Sequence, residues 1–418
     1  MGTLWKIALR NTVRHRRRTI ITAIVMTAGI SVFIAFDSML SGMDRMAVDN
    51  LAQYTVSSLK VRNPAYVEDI QASPLDKPLS DPEAALRAIR AEGLSATARI
   101  RFIAKLSNYT DEIPLLADAV DPRTDASVFA LARSISAGSW LDGAASKSVV
   151  LGAALADELK IKVGDSVLVS AQTVNDTTNA DEYSVVGLVD TPAPEVNRSG
   201  LFMPMAAARE LLAAPETRGG FATEVDAALP REPTLNTTLA EGEKAAAALR
   251  AQLPGARVDP ISFLARDYLS VRTAKAKYSF VLVFVVLIIA AVGIVNTILM
   301  SVYSRVREIG VLRAYGMTPK DIARLFTLEG LALGLVGSAL GVGLGALLDW
   351  LLISQGINLD PYADAMGSLP LSGVLRGEWN LTTMAFGFVF GVVVSLVAAR
   401  IPARRAAKLE PTDALRFV

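Results

Sequence analysis

The run NTILMSVYSRVREIGVLRAYGMTPKDIARLFTLEGLALGLVGSALGVGLGALLDWLL (Asn296–Leu352) closes one apolar stretch, passes through a short charged segment, turns at Gly316 and Pro319, and opens a second apolar stretch. Within the short segment Ile309, Leu312 and Arg313 fall at helical spacing, while Arg305, Arg307 and Glu308 supply charge. The pattern predicts a membrane helix, a short amphipathic helix beyond it, and a return into the membrane. A short helix of this mixed character suits docking into a groove on a cytosolic partner. The competing reading is a solvated basic loop held near anionic lipid, which about 1 kcal/mol per cation would favour.

Working outward, four apolar stretches reach the length that a hydrocarbon core of about 30 Å demands, near 20 residues at about 1.5 Å per residue. They occupy residues 19–40, 278–301, 331–352 and 381–399. The first exceeds the apolar run of a cleaved leader and three more follow, so it reads as a retained helix. Cations cluster in segment 1–18 (Lys6, Arg10, Arg14, Arg16, Arg17, Arg18), in segment 302–330 (Arg305, Arg307, Arg313, Lys320, Arg324) and in tail 400–418 (Arg400, Arg404, Arg405, Lys408, Arg416). Against these stand Glu308, Asp321, Glu410 and Asp413. The positive-inside rule places all three segments, and both termini, in the cytoplasm. The formal charge of the whole chain is only +1, so the remaining parts are net acidic. Arg272, Lys275 and Lys277, at the outer end of the second stretch, run against the rule but are outnumbered.

Residues 41–277 then form an external domain, and 353–380 a second external loop. Strand-like alternation marks Thr97–Leu106, Ile113–Val120, DSVLVSAQ (165–172) and EYSVVGLV (182–189), while Asp81–Glu92, Leu151–Leu159 and Glu241–Leu253 read as helices. The fold class is four transmembrane helices plus a mixed α+β extracytoplasmic domain between the first and second. An inserted lobe is expected near 116–215, and the second membrane helix is expected to begin outside the bilayer, since no breaker interrupts its approach.

Glycines in the third stretch repeat in helical register, at Gly330 and Gly334 and then Gly337, Gly341 and Gly345. Small residues at this spacing permit close backbone approach, either within the chain or at a seam with a second subunit. Asp37, Glu329 and Asp349 lie near span ends, where solvated or cap-like positions are expected.

Nothing in the sequence supports catalysis. There is no cysteine, and the one histidine, His15, sits in a basic run with no second histidine to complete a site. Neither GxxxxGK[ST] nor HExxH occurs, so energy from ATP must come from another subunit. Asp176, Asp181 and Glu182 in NDTTNADE lack the spacing of a calcium loop and read as a hydrophilic hairpin, so no metal site is expected. The near-neutral charge gives no nucleic-acid surface.

The 296–352 run, with IPARRAAKLEPTDALR (Ile401–Arg416) and ALRNTVRHRRRT (Ala8–Thr19), resembles the FtsX-like permeases of ATP-binding-cassette systems. A weaker likeness reaches the external domain through SVVLGAALADELKIKVGDSVLV (Ser148–Val169). The layout is most similar to the lipoprotein-releasing (LolC/LolE-type) permeases and also to MacB-type exporters. The resemblance implies a coupling helix in which Arg307, Glu308, Ile309, Gly310, Leu312, Arg313 and Gly316 dock a cytosolic ATPase. It implies two ATPase copies, which bind the ATP and Mg themselves, and a second permease subunit, identical or homologous. It also implies a bacterial inner-membrane location and extraction of lipoproteins towards the outer membrane with a periplasmic carrier. Export of a small molecule, peptide or lipid with a periplasmic adaptor, or signalling to a cell-wall hydrolase, are the other modes within the family.

Overall fold

The computed structural model describes residues 16–68, 74–143, 147–215, 220–362 and 370–408; for 16–18, 273–280, 282, 283, 286, 287 and 290 it describes the backbone alone. His15, most of the basic N-terminal segment, and Glu410, Asp413 and Arg416 of the tail lie outside the described residues. The chain divides into two units, one of residues 16–42, 272–357 and 376–408, the other of 43–271 and 358–375. Part of the loop at 353–380 thus belongs to the second unit. Asn50 Nδ2 holds it there by donating to the carbonyls of Pro370 (2.9 Å) and Ser372 (3.3 Å).

The second unit is organised by one sheet. Its strands are β1 (Leu59–Arg62), β2 (Ser95–Ser107), β3 (Glu112–Val120), β4 (Ile135–Gly138), β5 (Ser148–Gly152), β6 (Ser166–Gln172), β7 (Thr178–Val189), β8 (Leu201–Pro204), β9 (Glu224–Ala228) and β10 (Arg257–Pro260). Pairings β2–β3–β8–β5–β7–β6–β2 close a six-stranded barrel, and β10–β1–β9–β2 continue as an open antiparallel sheet. β2 serves both parts because it is 13 residues long: residues 95–99 pair with β9, and 99–107 with β3. The lobe expected at 116–215 therefore starts earlier, near Arg99. Its boundary falls inside a strand, where no proline or glycine marks it.

Alternation along the barrel strands fills the interior with Phe102, Leu106, Val149, Leu151, Val167, Val169 and Val185. In the open sheet, Leu59, Val61, Val225, Ala227 and Val258 face helices Pro82–Ala91 and Leu235–Gln252, meeting Ala85, Ile89, Ala246 and Leu249. Asp81 and Thr234 cap the two helices. The opposite face is also buried, yet it is charged. Lys60 Nζ lies 2.7 Å from Glu224 and 3.3 Å from Asp226; Arg62 meets Asp259 at 2.6 Å; Arg99 forks onto Asp125 at 2.8 and 3.0 Å; Arg101 holds Asp118 at 2.7 Å. A π-helical turn at Ala52–Val56 and the segment carrying Phe129 meet this face: the Arg101 guanidinium donates to the Thr55 carbonyl (3.5 Å), Ser57 Oγ donates to Asp226 (2.7 Å), and Arg99 stacks 3.4 Å from the Phe129 ring centroid.

The first unit is helical, with α1 (Arg16–Leu51), α2 (Arg266–Tyr303), α3 (Val306–Ala314), α4 (Pro319–Gln355) and α5 (Leu381–Ala407). Residues 43–51 of α1 and 266–271 of α2 belong to the second unit. Among the described residues, three helices, 19–56, 319–355 and 381–407, are long and apolar enough to cross a membrane, and the described side chains of α2 add an apolar stretch at Ala291–Tyr303. α4 runs well beyond 331–352. Pro319 at its first turn, with reciprocal hydrogen bonds between Thr318 and Asp321, starts it at 319. α5 likewise continues through Pro402, so residues 400–407 are helix rather than tail.

The glycine register is filled from within the chain. A Cβ at Gly337, Gly341 or Gly345 would stand 2.9, 2.8 and 2.9 Å from the Cβ atoms of Met26, Ile30 and Ile34 on α1. Gly330 and Gly334 instead admit Ala399 and Ser395 of α5. These five positions pack against α1 and α5.

Candidate coupling surface

α2 ends at Tyr303, and a turn at Ser304 and Arg305 separates it from α3. Ile309 is buried among Ile322 and Phe326 of α4 and Ala403 and Ala406 of α5, with Leu312 packed beside it. Gly310 is buried too. Arg313 Nη1 donates to the Ala407 carbonyl at 3.0 Å, placing a cation on the C-terminal end of α5, where the helix carries partial negative charge. α3 closes with Gly316 at φ +93°, its amide donating to the Arg313 carbonyl and that of Met317 to Leu312. The positive φ requires a residue without Cβ strain.

The seven residues read as a docking set therefore separate. Ile309, Gly310, Leu312 and Arg313 fasten α3 to α4 and α5, while Arg307, Glu308 and Gly316 are exposed. The outward face includes two residues that the sequence reading passed over, Val311 (40% exposed) and Tyr315 (86%). Arg307, Val311 and Tyr315 stand four apart on one helical face; that spacing was the available signal. An exposed tyrosine beside valine, arginine and glutamate gives a small amphipathic contact patch. Asp321, at the start of α4, accepts a hydrogen bond from the Thr318 hydroxyl at 2.6 Å.

Arg305 is not part of that patch. It is buried, and its Nη1 lies 3.1 Å from Glu329 Oε1, while Ser301 Oγ donates to Oε2 at 3.4 Å. Glu329 does not occupy the solvated span-end position expected for it, because α4 starts at 319 and residue 329 already lies inside the packed bundle. Asp349 is buried as well (1% exposed), and Asp37 is half-buried and accepts from Asn380 Nδ2 at 3.0 Å. Among the described residues no group of three or more His, Cys, Asp or Glu side chains is arranged to hold a metal.

The sequence of residues 19–254, more than half of the chain, matches the MacB-like periplasmic core domain, and residues 280–411 match the FtsX-like permease C-terminal region. The chain belongs to the FtsX-like permeases with a MacB-like periplasmic core domain. A lipoprotein-releasing system transmembrane protein, LolC, of Neisseria meningitidis is 25% identical over 285 residues, 64% of this chain and 65% of that protein. LolC of Haemophilus influenzae is 32% identical over 136 residues, 32% of each chain. The macrolide export ATP-binding/permease protein MacB of a Shewanella species is 33% identical over 129 residues, 31% of this chain and 17% of its own length. The chain thus spans less than two thirds of each of these relatives. The solved periplasmic region of MacB from Actinobacillus actinomycetemcomitans aligns with 53% of this chain and 97% of its own, with a TM-score of 0.35 and 11% identity. The extracellular domain of the transporter YknZ from Gram-positive bacteria aligns with 48% of this chain and 98% of its own, with a TM-score of 0.33 and 12% identity.

Proposed function

We propose that this FtsX-like permease is the membrane subunit of an ATP-binding-cassette transporter and uses the outward face of α3 to dock a separate cytosolic ATPase. In this reading α1, α2, α4 and α5 cross the bacterial inner membrane, both termini are cytoplasmic, and the sheet-containing unit is periplasmic between α1 and α2. Two ATPase copies, which bind ATP and Mg themselves, serve a pair of permeases. The observation that carries the reading is the division of labour on α3: one face is fastened to α4 and α5, and the other offers Arg307, Val311 and Tyr315. A solvated loop needs no such fastening. Extraction of lipoproteins from the inner membrane is the favoured task, because the Neisseria lipoprotein-releasing relative matches along 64% of the chain. Export of a small molecule through a periplasmic adaptor is the second reading, supported by the 33% identity to the macrolide exporter over a shorter stretch.

Co-purification of the tagged chain from native membranes in mild detergent, with mass spectrometry of what is retained, tests this. An ATPase is expected, with acylated proteins for the first task or an adaptor for the second. Tyr315→Asp and Arg307→Glu should each lower the retained ATPase about tenfold, equivalent to about 1.4 kcal/mol of docking energy. No ATPase with the unmutated chain, or undiminished ATPase in both variants, overturns the docking reading.

A further inference from the structure

We infer that the buried Arg305–Glu329 pair is a positioning strut that makes α3 and α4 move as one part, so that a load applied to the outward face of α3 reaches the apolar helices; this rests on the docking reading above. Between α2 and α3 the helix is interrupted: Arg305 has φ −126° and ψ 16°, and after the Ser304 amide, which still donates to the Met300 carbonyl, the Arg305 amide turns to the Val302 carbonyl. At this interruption the side chains cross to α4. Glu329 receives Ser301 from the last turn of α2 and Arg305 from the break itself, so both sides of the discontinuity are tied to one carboxylate.

The strut lands beside a close contact between α4 and α5. The next residue, Gly330, lets α5 approach until Ala399 fills the space of its missing Cβ, and Ser395 Oγ donates to the Gly330 carbonyl at 2.5 Å. The other end of α3 is tied to α5 through Arg313 and Ala407. Between these ties lie Ile309 and Leu312, whose apolar contacts are non-directional and allow a helix to roll. A charge-assisted hydrogen bond has fixed direction and resists rolling. Burying an ion pair gives little net stability over an apolar pair of equal volume, so what this pair adds over such packing is orientation.

The chain contains no cysteine, so two introduced cysteines report without background. Spin labels at Val285→Cys on α2 and Leu340→Cys on α4, both exposed, read the distance between the helices in the full chain with its co-purified ATPase, with and without ATP. The unmutated pair should show a nucleotide-dependent shift. Glu329→Gln, which keeps shape but not charge, should retain the ATPase within about twofold and lose at least roughly half of the shift. The exchanged pair R305E/E329R should recover it. Arg305→Lys, which keeps the cation, should preserve most of the shift and shows that substitution here does not by itself unfold the bundle. A full shift in Glu329→Gln, no recovery in the exchanged pair while ATPase stays bound, or no shift in the unmutated chain with ATPase bound would overturn the strut. Loss of the ATPase from Glu329→Gln alone would also overturn it, by making the pair part of the docking surface. Absence of the ATPase from the unmutated chain would instead remove the docking reading and the strut with it.

Discussion

In the sheet-containing unit charge is buried as a network, whereas in the helical unit the Arg305–Glu329 ion pair is buried among apolar helices. On the open sheet most carboxylates have two cations within reach: Glu224 has Lys60 at 2.7 Å and Arg101 at 4.0 Å, Asp118 has Arg101 at 2.7 Å and Arg99 at 3.9 Å, and Asp259 has Arg62 at 2.6 Å and Arg257 at 2.8 Å. On α4, Glu329 meets Arg305 at 3.1 Å with the Ser301 hydroxyl beside it. The sheet distributes the consequences of a lost partner, whereas the helical unit concentrates them. A surface that must stay rigid gains from the first arrangement. A joint that must hold one orientation gains from the second.

The largest expected effect comes from removing Glu329 from the buried pair. Glu329→Ala leaves the Arg305 guanidinium buried without its carboxylate, a change of the kind that costs about 3–5 kcal/mol. Hydrogen exchange of the α3 and α4 amides in the full chain should show opening free energies lowered by that order. A loss below about 1 kcal/mol would mean that water or another side chain reaches Arg305, removing the contrast with the sheet.

A second test uses pH. Burial raises the Asp226 carboxyl to about 6, with the Lys60 and Arg99 charges working against the shift and the neighbouring Glu224 charge adding to it. For Glu224, burial also acts to raise the value, but Lys60, Arg101 and Arg62 outweigh it and bring it down. An acid whose folded value is raised contributes stability that is fully present below its unfolded value, near 3.8, and is lost as pH rises through about 6. Asp226→Asn removes that loss. The variant should therefore gain on the parent above pH 6, by about 1–3 kcal/mol, with the difference shrinking towards pH 4. Exchange of the β9 amides between pH 4.5 and 8, corrected for intrinsic rates, reads this directly. A difference independent of pH would mean that Asp226 does not titrate in this range.

How much of this was legible in the sequence differs between the two units for a physical reason. Periodicity located the apolar stretches and most barrel strands, because each of those buries a face of one character. It located the strand at TARIRF but not what covers its charged face. There Arg99 and Arg101 alternate with Ile100 and Phe102, and the pattern reads as a strand with one solvated face, although the structure covers both faces. Covering the charged face depends on Asp118 and Asp125 next to it and on Asp226, far along the chain, so no local window contains it. α3 is a milder case. Its amphipathic character was visible, but which face is outward depends on the packing of Ile309 against Phe326 and Ala403. Seen from sequence, Arg305 and Arg307 are equivalent cations two residues apart. Arg305 sits in the non-helical break before α3 and turns inward to Glu329, whereas Arg307, inside α3, is exposed.

The smallest effect sharpens the contrast from the sheet side. Arg62→Met removes a buried guanidinium whose Nη2 lies 2.6 Å from Asp259 Oδ2. It leaves Asp259 held by Arg257 Nε at 2.8 Å on the other oxygen, and Arg257 is only partly buried and free to adjust. Methionine matches most of the apolar stem of arginine and can follow the surface between β1 and β10. The cost should be about 1.5 kcal/mol, the lower end for a hydrogen bond to a charged group, because the carboxylate keeps a cation. Exchange of the β1 and β10 amides should register it, with β3 and β8 of the barrel unmoved. A loss comparable to that of Glu329→Ala would mean that the network behaves as separate pairs, each as fragile as Arg305 with Glu329. Doubling the change with Arg257→Met distinguishes these cases, since a shared carboxylate predicts that the second substitution costs more than the first.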